Sequence, residues 1–136
     1  MSPTRRILVV DDQDDIRDMA GLILTGAGYE VRTADSGREA LRLVRESRFD
    51  LLLLDINMPE LDGWATLRLL RADDAGDEVK VAMFSVKSDV RDKVEGLKDG
   101  AIDYITKPFA VDELLARVLR IFAADDVSAV PAASPR

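Results

Sequence analysis

Short runs of apolar residues recur along the chain and alternate with longer segments in which apolar residues return every three or four positions. The clearest run, residues 51–54, is four leucines in succession, which is typical of a strand buried on both faces of a sheet. A similar short run precedes each helical pattern. We predict strands at residues 7–10, 30–34, 51–54, 79–84 and 102–105.

The intervening segments carry the period of amphipathic helices. The first begins at residue 14 or 15, ends at Gly28, and has a predicted apolar face made of Ile16, Met19, Ala20, Ile23 and Ala27. Ser36 and Glu39 have the spacing of a capping box at the start of the second helix. Further helices are predicted around residues 64–70, 90–97 and 111–122.

Five strands alternating with five helices specify an α/β fold, a doubly wound parallel sheet with right-handed crossovers and strand order 2-1-3-4-5. A chain of 136 residues fits one such domain. The apolar period fails after Ala124, where acidic residues give way to Ala, Ser and Pro. We therefore predict a domain over residues 1–124 and a disordered tail over residues 125–136.

Composition excludes several kinds of chemistry. The chain has no Cys and no His, which excludes disulfides, the usual zinc ligands and imidazole catalysis. The net charge of −7 argues against a nucleic-acid surface or a membrane-binding basic patch. No apolar run approaches the roughly 20 residues that span a bilayer, and no signal region opens the chain, so we expect a soluble, cytoplasmic protein.

Polar side chains follow four of the five predicted strands. Asp11 and Asp12 follow the first strand, Asp55 the third, Ser85 the fourth and Lys107 the fifth. Because these carboxyl ends share one edge of a parallel sheet, we expect the three carboxylates to converge and to need a cation. Oxygen ligands alone favour Mg²⁺, and a carboxylate beside a divalent ion can accept a phosphoryl group.

The chain resembles the receiver domain of two-component response regulators from about residue 5 to residue 122. The resemblance rests on Ser85 and on the segments Val-Val-Asp-Asp, Leu-Leu-Asp-Ile-Asn-Met-Pro-Glu-Leu-Asp-Gly and Asp-Tyr-Ile-Thr-Lys-Pro-Phe. It implies a flavodoxin-like fold and a signalling switch that is phosphorylated by a phosphohistidine of a sensor histidine kinase or phosphotransfer protein. It further implies that the domain catalyses only its own phosphorylation and dephosphorylation.

Carried onto this sequence, the resemblance implies that Asp55 is the phosphoryl acceptor. Asp12 is then a direct ligand of Mg²⁺ or Mn²⁺, and Asp11 acts on the metal largely through water. Asp55 itself and the backbone carbonyl of Asn57 complete the protein ligands.

The same resemblance implies a role for three residues of the switch. Lys107 is expected to pair with Asp55 and then with the phosphoryl group, aimed by a cis peptide bond before Pro108. Ser85 is expected to move and to bond the phosphoryl group. Tyr104 is expected to rotate inward into the space that Ser85 vacates.

The resemblance places the output surface on the fourth helix, fifth strand and fifth helix, where a downstream protein target binds. Lys93, Asp103, Glu113 and Arg117 lie there and match charged pairs used across symmetric receiver dimers, Lys93 with Glu113 and Asp103 with Arg117. An ordinary solvated mixture of charges explains them equally well. A homodimer on this face therefore stays one of two interpretations.

Other functions stay open at this point. A degenerate receiver binds its partner without phosphate. A haloacid-dehalogenase-like phosphohydrolase also uses an aspartate after a strand, but Asn57 occupies the place of its second acid. A flavin-binding protein of the same fold disagrees with the acidic loop after the first strand, which is hostile to a phosphate group.

Overall fold

The structure, a computed structural model, describes residues 4–73, 76, 78–86 and 100–129, with Ser85 and residues 125–129 described by their backbone alone. Five strands form one parallel sheet in the order β2-β1-β3-β4-β5, as predicted. Their bounds are β1 Arg6–Val10, β2 Glu30–Ala34, β3 Leu51–Asp55, β4 Lys80–Ser85 and β5 Asp103–Thr106.

Four helices lie within the described residues: α1 Asp14–Gly26, α2 Gly37–Glu46, α3 Gly63–Ala72 and the C-terminal helix Val111–Ala129. The helix predicted around residues 90–97 lies outside them. In the part of the chain that the structure describes, no helix combines the length and the apolarity that crossing a membrane requires.

The two faces of the sheet are covered by different helices. Because side chains alternate along a strand, Leu52 and Leu54 pack toward α2 and α3, whereas Leu51 and Leu53 pack toward α1 and the C-terminal helix. All four leucines are fully buried, which explains why the central strand is an unbroken apolar run. Burying each leucine contributes about 2 kcal/mol of hydrophobic free energy, so β3 anchors both layers.

The buried face of α1 differs from the predicted one. Met19 is 40% exposed and Ala27 is exposed, whereas Ala20 and Leu24 are buried. Residues four apart stack on one side of a helix, so Leu24 extends the face that Ala20 begins, and Met19 lies on its flank. The prediction was correct for the helix and wrong for two of its inward positions.

The capping interaction of α2 is half of the predicted box. The Ser36 hydroxyl accepts a hydrogen bond from the Glu39 amide at 3.1 Å, while the Glu39 carboxylate pairs with Arg42. An arginine three residues on therefore holds the glutamate side chain along the helix.

The C-terminal helix is longer than predicted. It continues to Ala129, five residues past the point where the apolar period ends. The period marks only the part of a helix that packs on the sheet, whereas the backbone hydrogen bonds of the helix continue past its last buried residue. Residues 130–136 of the predicted tail over residues 125–136 lie outside the described residues, and the domain boundary stays a prediction.

Candidate functional site

The ends of β1 and β3 bring two buried carboxylates together. The two strands are neighbours, and Val10 lies opposite Leu54, so Asp11 and Asp55 emerge side by side. Asp11 is fully buried and Asp55 is only 3% exposed. The predicted convergence at the carboxyl edge of the sheet is therefore present.

Asp12 adds a third carboxylate that is exposed to solvent. One carboxylate oxygen from each of Asp11, Asp12 and Asp55 lies within 4.8 Å of the other two. All three donors are hard oxygens, and the exposed side of Asp12 leaves access for water. These features fit Mg²⁺, which prefers a few carboxylates and keeps several waters.

Lys107 brings positive charge to the two buried carboxylates. Its Nζ lies 2.6 Å from Oδ2 of Asp11 and 3.3 Å from Oδ1 of Asp55, and the residue is only 8% exposed. The peptide bond to Pro108 is cis, as the resemblance implied. The ammonium does pair with Asp55, but its shorter contact is with Asp11.

Asp55 is a weaker acid than an ordinary aspartate. Burial is the main reason that its pKa rises from 3.8 to about 6, and the neighbouring Asp11 charge raises it further. Lys107 and the amide of Asn57, which donates to Oδ1 at 3.3 Å, oppose the rise in pKa. The carboxylate is therefore ionised at neutral pH and held in place by two donors.

The first turn of α3 abuts the end of β3 behind Asp55. The Gly63 amide donates to the Ile56 carbonyl at 2.8 Å, and a Cβ on Gly63 would lie 2.3 Å from the Asp55 carbonyl oxygen. The Asp62 side chain caps the helix by accepting from the Ala65 amide. The sequence marked Asp62-Gly63 as part of a loop, and an aspartate cap followed by glycine is the signal for this junction.

Arg17 on α1 contacts the site and was missed from the sequence. Its Nη1 donates to the Asp11 carbonyl at 2.7 Å, and its Nη2 pairs with Asp14. Its side chain is only 16% exposed. The available signal was the three-residue spacing of Asp14 and Arg17 at the start of α1.

Two predicted switch residues lie on the neighbouring strands. Ser85 ends β4, where its backbone lies beside Thr106 of β5, and its side chain is outside the described part. Tyr104 lies on β5 and is partly buried, with its ring centroid 6.3 Å from that of Trp64. The aromatic pair links β5 to α3 on the face of the sheet that α2 and α3 cover.

The predicted output surface is only partly described. Asp103 accepts a hydrogen bond from Arg117 of the same chain at 2.9 Å, and Arg120 lies 3.5 Å from its second oxygen. Glu113 is exposed, whereas Lys93 lies outside the described residues. One of the two charge pairs assigned to a dimer therefore already exists within a single chain.

Comparison with known proteins yields consistent matches. The family model of the response regulator receiver domain matches residues 7–119. Transcriptional regulatory protein PrrA of Mycobacterium tuberculosis is 49% identical over 113 residues, which cover 83% of this chain and 48% of that protein. DNA-binding response regulator MtrA of Mycobacterium leprae is 45% identical over 114 residues, covering 84% and 49%.

Solved structures agree with these matches. Chemotaxis protein CheY4 of Vibrio cholerae is 34% identical with a TM-score of 0.84, and the alignment covers 88% of this chain and 99% of that one. The chain thus spans about half the length of the curated relatives that it matches, whereas the match covers 99% of the CheY4 chain.

Proposed function

The chain belongs to the response regulator receiver family, and on that premise we propose that it is a phosphorylation-activated switch whose phosphoryl acceptor is Asp55. The observation that carries the proposal is a nearly buried carboxylate that two other carboxylates and one ammonium surround. The phosphoryl donor is a phosphohistidine on a sensor histidine kinase or on a phosphotransfer protein.

The reaction transfers one phosphoryl group between two side chains. An Asp55 carboxylate oxygen attacks phosphorus, a P–O bond forms, and the P–N bond to the donor imidazole breaks with its electron pair leaving on nitrogen. With a pKa of about 6, Asp55 is mostly ionised at pH 7 and is available as the nucleophile. Its amide contact with Asn57 restricts the direction in which the carboxylate faces.

We assign the metal ligands to Asp12, Asp55 and the backbone carbonyl of Asn57, with Asp11 acting largely through water. Held by these ligands, Mg²⁺ or Mn²⁺ would supply positive charge to offset that of the phosphoryl oxygens. Lys107 supplies a second positive charge, and its contacts with both Asp11 and Asp55 allow it to shift toward the phosphoryl group without leaving the site.

Phosphorylation of Asp55 then changes the conformation of the domain surface. The Ser85 hydroxyl bonds the phosphoryl group, and Tyr104 rotates into the space that Ser85 vacates. These movements change the surface formed by the predicted fourth helix, β5 and the C-terminal helix, where a downstream protein binds. The match spans only about half of the relatives named as transcriptional or DNA-binding regulators, and the net charge of −7 argues against direct nucleic-acid contact by this chain.

Intact mass after incubation with acetyl phosphate and Mg²⁺ tests the proposal. We expect a phosphoryl adduct on the wild-type chain, and none on Asp55→Asn or when EDTA replaces Mg²⁺. Asp50→Asn is the matched control, because Asp50 lies at the opposite edge of the sheet, where its carboxylate accepts the Arg6 amide at 2.7 Å. Absence of any adduct on the wild type would instead indicate a degenerate receiver that binds its partner without phosphate.

A further inference from the structure

We propose that Arg17 is a positioning residue for the metal site, which holds the peptide between Asp11 and Asp12 and thereby directs the Asp12 carboxylate. This inference rests on the proposed function, since it concerns the same Mg²⁺ site. The Arg17 side chain is mostly buried, although it carries a full charge at the edge of an acidic site. A solvated surface charge would not require such burial.

Asp11 is fixed by hydrogen bonds on every side. Its amide donates to the Ala34 carbonyl at 3.1 Å, and its Oδ1 accepts from the Gln13 amide at 2.9 Å. Lys107 donates to its Oδ2 at 2.6 Å, and Arg17 donates to its carbonyl oxygen at 2.7 Å. The Arg17 contact differs from the others because that carbonyl belongs to the peptide plane that continues into Asp12.

Asp12 depends on this peptide for its direction. Its side chain is exposed, and within the described ranges no residue donates a hydrogen bond to its carboxylate or forms an ion pair with it. Rotation of the peptide plane between Asp11 and Asp12 would therefore move one of the three candidate ligands away from the other two. The Arg17 hydrogen bond opposes that rotation.

The guanidinium group suits this task. One N–H donates to the Asp11 carbonyl while another donates to the Asp14 carboxylate, so the planar fork ties the loop after β1 to the first turn of α1. A lysine carries the same charge but lacks the fixed fork. Arg17→Lys therefore separates the geometry of the side chain from its charge.

A positioning role and a purely electrostatic role for Arg17 predict opposite changes in Mg²⁺ affinity when Arg17 is replaced. The Arg17 charge lies at the edge of the acidic site and repels a cation bound there, so removing the charge alone would tighten Mg²⁺ binding. If Arg17 acts by orienting Asp12, its removal weakens binding. Losing a group that orients a metal ligand typically costs about 10–100-fold in affinity.

The test is the Mg²⁺ dissociation constant of the unphosphorylated full chain, measured by calorimetric titration, for wild type, Arg17→Met and Arg17→Lys. We expect Arg17→Met to weaken Mg²⁺ binding about tenfold and Arg17→Lys to weaken it less. Arg71→Met is the matched control, because the Arg71 guanidinium also donates to backbone carbonyls, those of Val79 and Gly100, away from the acidic site. This variant should lose thermal stability and keep wild-type Mg²⁺ affinity.

Further measurements distinguish the positioning role of Arg17 from a purely electrostatic effect and from failure of the proposed function. If Arg17 acts through Asp12, Arg17→Met will have no additional effect on Mg²⁺ affinity in an Asp12→Asn background. Unchanged or tighter Mg²⁺ binding by Arg17→Met would overturn the inference while leaving phosphorylation of Asp55 intact. A wild-type chain that binds no Mg²⁺ at all would overturn both the inference and the proposed function.

Discussion

Asp55 combines burial with a charged neighbour, and both act on its ionisation in the same direction. The buried site disfavours the carboxylate, and Asp11 adds a second negative charge beside it, while Lys107 and the Asn57 amide oppose both effects. The folded protein therefore holds the Asp55 proton more tightly than the unfolded chain does. A group with a raised folded pKa favours folding at low pH, and that contribution is lost as the pH rises from 3.8 to about 6.

Asp55→Asn is accordingly expected to stabilise the metal-free protein at pH 7. The amide keeps the shape of the carboxylate and its contact with the Asn57 amide while removing the charge, and Lys107 retains Asp11 as its partner. We expect a gain of about 1–3 kcal/mol in the free energy of unfolding. Denaturant unfolding in EDTA between pH 4 and 8 measures it.

The pH dependence of this gain is the sharper part of the measurement. The difference between Asp55→Asn and wild type should be small near pH 4, grow up to about pH 6, and then stay constant. Asp50→Asn, at the opposite edge of the sheet, should show no such gain. A difference that is independent of pH, or a wild type that is the more stable at pH 7, would contradict this account of Asp55.

At the scale of elements, the junction between β3 and α3 has no room for an additional atom. A Cβ on Gly63 would lie 2.3 Å from the Asp55 carbonyl oxygen and 2.7 Å from the Ile56 Cα, both of them backbone atoms. The start of α3 would have to move away from the end of β3. That movement would carry the segment between Asp55 and Gly63 with it.

Gly63→Ala is therefore expected to lower the free energy of unfolding by about 1–3 kcal/mol and to slow phosphorylation of Asp55 by acetyl phosphate. Gly21→Ala is the matched control, because Gly21 lies within α1 and a Cβ on it would meet no heavy atom within 4 Å beyond the backbone of its own helix. That change should raise stability by about 0.5–1 kcal/mol and leave phosphorylation unaffected. Equal stability of the Gly63→Ala variant and wild type would show that the junction can yield.

The sequence predicted the parts of the site that parallel topology determines. Buried strands read as apolar runs, and polar residues at their ends must meet at one edge, which brought Asp11, Asp12 and Asp55 together before any distance was known. Lys107 was likewise placed at this edge by its position after β5. Its closer approach to Asp11 than to Asp55 depends on side-chain geometry, which a linear pattern does not contain.

Other features could not be predicted from the sequence because they leave no periodic pattern in it. Arg17 reads as a polar interruption of a helix, and only the fold shows that its guanidinium reaches the Asp11 carbonyl. Gly63 reads as a turn residue, and the backbone that would clash with its Cβ lies at the end of β3. Met19 was assigned inward because a helical period defines a face only to within about one residue, and its 40% exposure places it on the flank.

For the whole molecule, the proposed switch predicts that the output surface binds a partner once Asp55 carries a phosphoryl group. The dimer interpretation predicts that the phosphorylated chain associates through the surface that contains β5 and the C-terminal helix. Asp103 and Arg117 already pair at 2.9 Å within one chain. In a two-fold symmetric dimer that used them, each Asp103 would exchange the Arg117 of its own chain for the Arg117 of the other chain. This exchange alone contributes little, because partly exposed ion pairs are worth about 0–1 kcal/mol.

Sedimentation velocity over a range of protein concentrations, with and without acetyl phosphate and Mg²⁺, tests the dimer. The average molecular mass of the phosphorylated chain should increase with protein concentration. Arg117→Ala should weaken the dimer by less than about tenfold, as expected for an exchanged ion pair. Ile102, which is 43% exposed beside Asp103, offers apolar area to the same surface, so Ile102→Glu should weaken the dimer more. A monomer mass that does not change with concentration after phosphorylation would leave these charges as a solvated surface and assign the output to a different protein partner.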